Sequence, residues 1–298
     1  MKNAWTLTKL RMRLALRNRA FIFFSLVFPM MFLFLFLGFF ARRNPAAVSY
    51  MLSHVLALTV MGSFWGLSVQ LVTFREQGIL RRFRLTPVSA GAMLLSSILS
   101  NYILTLPTVV LEFVLARQIF HMIGWGNLGG VFVMVTLGTV TFAALGLIIA
   151  SVTNTMQETQ VINQLLWSGF LFLSGATLPL PMLPGWVQNL TLFQPATYLV
   201  AGLEQAMSGE RLQIGAETLS LSVCAIIAFV VSQQLFRWEP EAKAPRRAKL
   251  WAASAIIPFL LLGLWETAHG QLRSNAGASF QLIQDARGER RDPGRVPE

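Results

Sequence analysis

Long stretches without a single charged residue constrain this chain more than any other feature. Arg19 to Arg42 encloses 22 uncharged residues, Arg43 to Arg75 31, Arg84 to Glu112 27, Arg117 to Glu158 40, Glu158 to Glu204 45, Glu217 to Arg237 19 and Lys249 to Glu266 16. Ionised side chains are costly in hydrocarbon, and a helix needs about 20 apolar residues to cross a bilayer. The first six runs each accommodate one spanning helix, and the seventh is marginal in length. Only 12% of the residues are charged, against about 25% in soluble domains. An ordinary soluble enzyme and a disordered chain are thereby excluded.

The expected fold class is all-α: a polytopic membrane protein with spans at 21–41, 51–73, 91–113, 128–151, 158–177 and 218–237, and a seventh at 250–268. The first span begins Phe21-Ile22-Phe23-Phe24 and ends on Arg42-Arg43 with no small-residue cleavage site; it reads as a retained helix and not a signal peptide. Pro29 would kink it, which membrane helices tolerate. The 45-residue run is too long for one helix and too short for two spans plus a hydrated loop. It holds Pro179, Pro181, Pro184 and Pro195, which interrupt a continuous helix. Residues 178–200 are therefore expected to form an outer re-entrant segment, the alternative being a plain apolar outer loop. Trp186 and Tyr198 suit a membrane–water interface.

Lys and Arg counts orient the chain. With the N-terminus inside, 15 of the 24 fall on three inner segments and nine outside, five of these in the C-terminal tail. The positive-inside rule thus predicts a multi-pass protein of the plasma (inner) membrane with a cytoplasmic N-terminus. The net charge of +11 is then directed at lipid headgroups, not at nucleic acid. Residues 1–20 carry six basic groups and no acid, with apolar ridges Trp5/Met12/Leu16 and Leu7/Leu10/Leu14. They suit an interfacial helix, or else a basic flank that only sets topology. Residues 238–249 form a basic inner linker, and 269–298 read as a flexible tail. The tail lies outside if 250–268 crosses and inside if it rests on the inner surface; the basic residues before it favour crossing.

Catalytic chemistry is hard to place. Cys224 is the single cysteine, which rules out an internal disulfide framework, and His54, His121 and His269 are too scattered for a local metal motif. None of the four lysines follows a glycine-rich loop, so no phosphate-binding loop is present. No catalytic, cofactor-binding or metal-ligating residue is expected.

The segment after the second span carries the most information: Thr73-Phe74-Arg75-Glu76-Gln77-Gly78-Ile79-Leu80-Arg81-Arg82-Phe83-Arg84-Leu85-Thr86-Pro87. As a short helix it would turn Ile79 and Phe83 to one face and Arg81 and Arg84 elsewhere, and Pro87 would end it. Topogenic charge explains the arginines but not Glu76, Gly78 or the Thr-Pro terminator.

This pattern, Glu76-x-Gly78-x-Leu80-Arg81-Arg82-x-Arg84-x-Thr86-Pro87, closely resembles the inner-loop signature of ABC-2 type transporter permeases. The basic amphipathic start, Phe28-Pro29 in the first span, and the stretch from Leu183-Pro184-Gly185-Trp186 to Gln194-Pro195-Ala196-Thr197-Tyr198 match that family too. The resemblance covers about residues 1–237, and 239–298 depart from it. It implies a coupling helix that docks on a separate ATP-binding cassette subunit. ATP and Mg would be bound by that partner, with no nucleotide site or enzymatic activity here. A second permease, identical or not, would complete the transporter. Glu76 would order the coupling helix through a backbone N–H or a partner arginine. Arg81, Arg82 and Arg84 would meet acidic partner surface or headgroups.

The implied function is export of a lipophilic or amphipathic substrate such as a drug, a lipid or a lipid-linked glycan. Asn101, Asn163 and Gln164 are candidates for lining its path, or for joining helices. Glu112 reads as an interface-level carboxylate, and His54 as a helix-packing hydrogen bond rather than a metal ligand. Gly138, Ala144 and Gly146 suit close helix packing. The competing readings are a non-transporting scaffold and an intramembrane enzyme; Ser168-Gly169 and Ser174-Gly175 both lack the preceding glycine of a serine-protease turn.

Overall fold

The computed structural model describes residues 2–17, 19–41, 45–84, 88–178, 180–208, 214–238 and 257–269. Every regular element among them is helical. In chain order they are α1 (Lys2–Arg17), α2 (Arg19–Phe36, continued by a π turn Leu37–Ala41), α3 (Pro45–Met61), α4 (Ser63–Glu76), α5 (Ile79–Arg84), α6 (Ala90–Ile119), α7 (Leu128–Val152), α8 (Met156–Leu173), α9 (Gly185–Thr191), α10 (Pro195–Ser208), α11 (Gly215–Leu235) and α12 (Ile257–His269). Gly62 joins α3 to α4 in helical conformation, so the pair acts as one rod. By length and composition four stretches are long and apolar enough to cross a membrane: Ala47–Glu76, Ala90–Ile119, Leu128–Val152 and Gly215–Leu235, with Ser25–Phe39 a shorter apolar helix. The helix expected at 91–113 is longer, reaching Ile119. The basic linker from residue 239, residues 250–256 and the tail from 270 lie outside the described residues.

The helix starts follow local chemistry. Ser89, Asn127 and Thr155 each precede a helix and accept a hydrogen bond from the backbone N–H three residues on. These are N-caps that satisfy otherwise orphaned donors.

α7 is the hub, packing against α4, α10 and α11. Small residues permit this. A Cβ at Gly146 would strike the backbone of Phe64 on α4, and one at Gly202 of α10 would strike Met134. α10 runs antiparallel to the first half of α7: Asn127 N donates to Ala206 O at 2.7 Å, and Leu199 sits on Gly138. The chain leaving α8 therefore turns back into the bundle through a 3-10 turn (Leu180–Met182) and α9 before α10. Every residue of α10 except Gln205 and Ser208 is buried, as a helix apolar on all sides should be. The proline-rich stretch before α10 is mostly exposed, while Pro195 at the start of α10 is enclosed by protein.

The burial corrects two placements. Tyr198, assigned to the interface with Trp186, is only 1% exposed. Its hydroxyl donates to Leu192 O at 3.1 Å, because α10 is packed inside the bundle. Glu112, read as an interface-level carboxylate, is 0% exposed and accepts a hydrogen bond from Thr59 of α3. α12 contacts α11. Its Gly263 lies against the Phe193 ring, and Glu266 lies near Tyr198 and Glu217, so the second half of α12 sits beside the start of α11.

Candidate functional site

The turn between α4 and α5 is built to hold one shape. Gln77 closes α4, its N–H donating to Thr73 O, and Gly78 follows at φ 68°. That left-handed conformation suits glycine and costs residues with a Cβ. The chain then starts α5 in a new direction. Leu80 is fully buried in the apolar cluster made by Leu71, Val72, Leu94, Leu147 and Leu235, and Phe83 packs against it. Arg81 and Arg82 are exposed. α5 is thus anchored by one side chain and offers two cations outward. The Arg84 side chain and residues Leu85, Thr86 and Pro87 lie outside the described residues.

The last turn of α4 reaches across to the junction of α7 and α8. Arg75, 3% exposed, donates from Nη1 to Ala150 O and from Nη2 to Thr153 O, both at 2.7 Å. Arg237, just past α11, donates to Ser151 O at 2.8 Å, Thr153 O at 2.7 Å and Asn154 Oδ1 at 3.2 Å. Burial lowers the Arg237 pKa and Glu158 partly restores it. α7 has no basic residue in its own last turn; its unpaired carbonyls and the negative end of its dipole are satisfied by these two guanidiniums. The start of α8 receives the opposite charge. Glu76 Oε1 accepts from Met156 N at 2.8 Å. Glu158 Oε2 accepts from Asn154 N at 2.7 Å, completing a cap akin to the reciprocal Thr-x-x-Glu arrangement. Arg75 and Glu76, in the last turn of α4, thus hold the α7–α8 junction, which Arg237 just past α11 also contacts.

Arg75 and Arg237 entered the sequence reading only as topogenic charge. Thr155-x-x-Glu158 was a legible capping signature. The pairing of the arginines with a helix end 75–86 residues away had no local signal.

α1 rests on this region. Leu7, Thr8, Arg11 and Ala15 are buried, while Trp5, Leu10, Leu14 and Leu16 are exposed together with Lys9, Arg13 and Arg17. Arg11 donates to Gln70 Oε1 at 3.2 Å and lies over the Phe74 ring. Burial brings its pKa down to about 10, so it stays charged at neutral pH.

The three path candidates do not converge. Asn163 is fully buried and exchanges hydrogen bonds with Ser68 of α4, at 2.8 and 3.1 Å. Asn101 is half-buried on α6, facing α4 near Gly66. Gln164 is exposed on α8, in line with exposed Gln157, Gln160, Val161 and Leu165. In the returning segment Pro181 and Pro184 are exposed and Trp186 is 72% exposed, whereas Pro195 is buried at the first position of α10. The serines weighed for hydrolysis are engaged elsewhere: Ser168 donates to Gln164 O, and Ser174 accepts from Ala176 N.

An all-helical bundle whose apolar helices are long enough to cross a membrane has the build of a multi-pass membrane protein. The chain belongs to the ABC-2 type transporter family, whose model matches residues 2–208. α11 and α12 lie beyond that match. The chain is 28% identical over 186 residues to the probable doxorubicin resistance ABC transporter permease protein DrrC of Mycobacterium tuberculosis (strain CDC 1551 / Oshkosh), covering 58% of this chain and 64% of that protein. It is 25% identical over 171 residues to the linearmycin resistance permease protein LnrN of Bacillus subtilis (strain 168), covering 57% of this chain and 43% of that protein. It thus spans less than two thirds of the length of either.

Proposed function

We propose that this chain is the membrane-spanning subunit of an ATP-driven exporter, moved by a separate ATP-binding cassette subunit that binds ATP and Mg. The observation that carries this reading is the exposed Arg81–Arg82 pair on a helix anchored by Leu80 and wired through Arg75 and Glu76 to α7 and α8. Partner closure would push α5, and the hydrogen-bonded helix ends would carry the motion into the bundle. In this reading the α5 end and the N-terminus face the cytoplasm across the inner membrane, supported by the excess of Lys and Arg on those segments. α1 lies on the inner leaflet, with its exposed leucines in lipid and its cations at headgroups. The second half of α12 reaches the outer side.

Two permeases assemble with two ATPases. The exposed glutamine row on α8 supports this, since amides facing hydrocarbon are unfavourable and a row of them beside Val161 and Leu165 fits a second copy and a wet path between copies. An amphipathic substrate suits that mixed surface, and the two relatives are named for resistance to doxorubicin and to linearmycin. Co-purification with the ATP-binding subunit tests the reading through ATP turnover. Glu76→Ala combined with Gly78→Pro should lower turnover at least tenfold; unchanged binding and turnover would remove the coupling role from this turn.

A further inference from the structure

We propose that His54 is a positioning residue that clamps the returning segment Ser174–Thr177 to the bundle, and that this clamp must release for substrate to leave on the outer side. The release step rests on the export reading above; the clamp itself does not.

The imidazole joins three elements far apart in sequence. From α3, its Nδ1 lies 2.9 Å from Ala176 O, and its Nε2 lies 3.0 Å from Oε1 of Glu204 on α10. The Tyr50 ring stacks beside it, centroids 4.6 Å apart. His54 and Ala176 are buried, as are the flanking Met51, Val55, Val200 and Leu203. Elsewhere the segment holds mainly to itself. Ser174 N donates to Phe170 O, Thr177 Oγ1 to Leu171 O, and Ala176 N to Ser174 Oγ. Among the described residues, the His54 contact is the hydrogen bond that ties this segment to another part of the bundle.

The donor roles are fixed by the partners. A carbonyl oxygen only accepts, so Nδ1 carries a proton. Nε2 makes an electrostatic contact with Glu204 rather than an aligned hydrogen bond. Tyr50, one turn before His54 on α3, also hydrogen-bonds Glu204, so the carboxylate is held by two residues of that helix. Swinging the segment outward removes the acceptor at Nδ1 and leaves a buried donor without a partner. The segment is thus held by one specific bond whose donor is kept in place by Glu204.

A cysteine reporter tests this on the permease alone. Cys224 is replaced by Ala, and Ala176→Cys preserves the backbone carbonyl. A membrane-impermeant maleimide applied from outside should label Cys at 176 slowly. His54→Leu should speed labelling at least tenfold, and Leu261→Ala on the exposed face of α12 should leave it unchanged. Equal rates with His54 and Leu at 54, or rapid labelling of the parent, would overturn the clamp. If His54→Leu does not fold, nitrogen NMR of the intact chain decides the matter. The His54 Nδ1 proton should exchange at least a hundredfold more slowly than that of exposed His121, and equal exchange overturns the proposal. In the complex with the ATP-binding subunit, His54→Leu should raise substrate-free ATP turnover about threefold. Faster labelling without that change would retain the clamp and reject its gating role.

Discussion

The two ends of the bundle solve the problem of buried charge in opposite ways. At the α5 end the guanidiniums of buried Arg75 and half-buried Arg237 are received by backbone carbonyls at the end of α7. Toward the other end they are carboxylates. Glu112 is held by Thr59, Glu204 by His54, and Glu217 by Gln205 at 3.0 Å. Arginine keeps its proton at every accessible pH, and its planar fork fits two acceptors at once. Carboxyl and imidazole groups can exist with or without a proton, and here they are held by side chains from neighbouring helices. In the export reading proposed above, the α5 end would act as the lever and the opposite end as the releasable closure.

Removing the lever's main pin should have the largest effect. Arg75→Ala strands Ala150 O, leaves Thr153 O to Arg237 alone, and removes two charge-assisted hydrogen bonds, each worth about 1.5–3 kcal/mol. We expect the permease to lose about 3 kcal/mol, measured as a fall in the thermal midpoint of the detergent-solubilised chain. Arg75→Lys should recover less than half, since one ammonium does not span both carbonyls. Full recovery by lysine would show that charge and not fork geometry matters. Arg237→Ala should cost less, because the group is only half-buried and Arg75 still serves Thr153.

Next comes the joint between the end of α4 and the start of α8. Glu76→Ala removes the anion from the first N–H of α8, a contribution of about 1 kcal/mol in both capping and dipole terms. Stability should fall by that much, and hydrogen exchange at Met156 should rise severalfold while the α7 amides stay protected. Uniform loss of protection across α7 and α8 would mean that the two ends of the junction are not separable. Gly78→Ala should cost about 1 kcal/mol through its left-handed backbone alone. The space around Gly78 is open, so a larger loss would indicate a contact made by this turn outside the isolated chain.

These contrasts also mark what the sequence could and could not reveal. Uncharged runs exposed an all-helical polytopic chain, and the Glu76–Pro87 pattern with Phe28-Pro29 pointed to the family now matched over 2–208. Both signals are local. Glu112 and Glu204 carry no such local signal: both carboxylates lie within protein beside partners 53 and 150 positions away. Tyr198 was misplaced for a related reason: an aromatic with a hydroxyl suits a membrane interface, but it suits equally well an enclosed helix whose own turn supplies an acceptor. Asn163 shows the converse, a polar residue in an apolar run whose role became visible only when Ser68 stood opposite it.

The smallest expected effect on stability is at Arg81 and Arg82, and it sharpens the division between lever and handle. Both side chains are exposed, and surface substitutions away from caps and buried networks usually stay within about 0.5 kcal/mol. The double variant Arg81→Ala/Arg82→Ala should therefore unfold at the parent temperature and keep the Met156 amide protected, because Arg75, Glu76 and Leu80 still hold the turn. Association with the ATP-binding subunit should nevertheless weaken at least tenfold, and the residual affinity should lose its dependence on salt, as expected when a charged contact is removed. If affinity and salt dependence both remain, the two arginines face headgroups and not the partner, and the handle must be sought on another surface of the α5 end. If stability falls with affinity, the exposed tip and the buried lever form one unit, and the separation drawn here between transmitting force and receiving it does not hold.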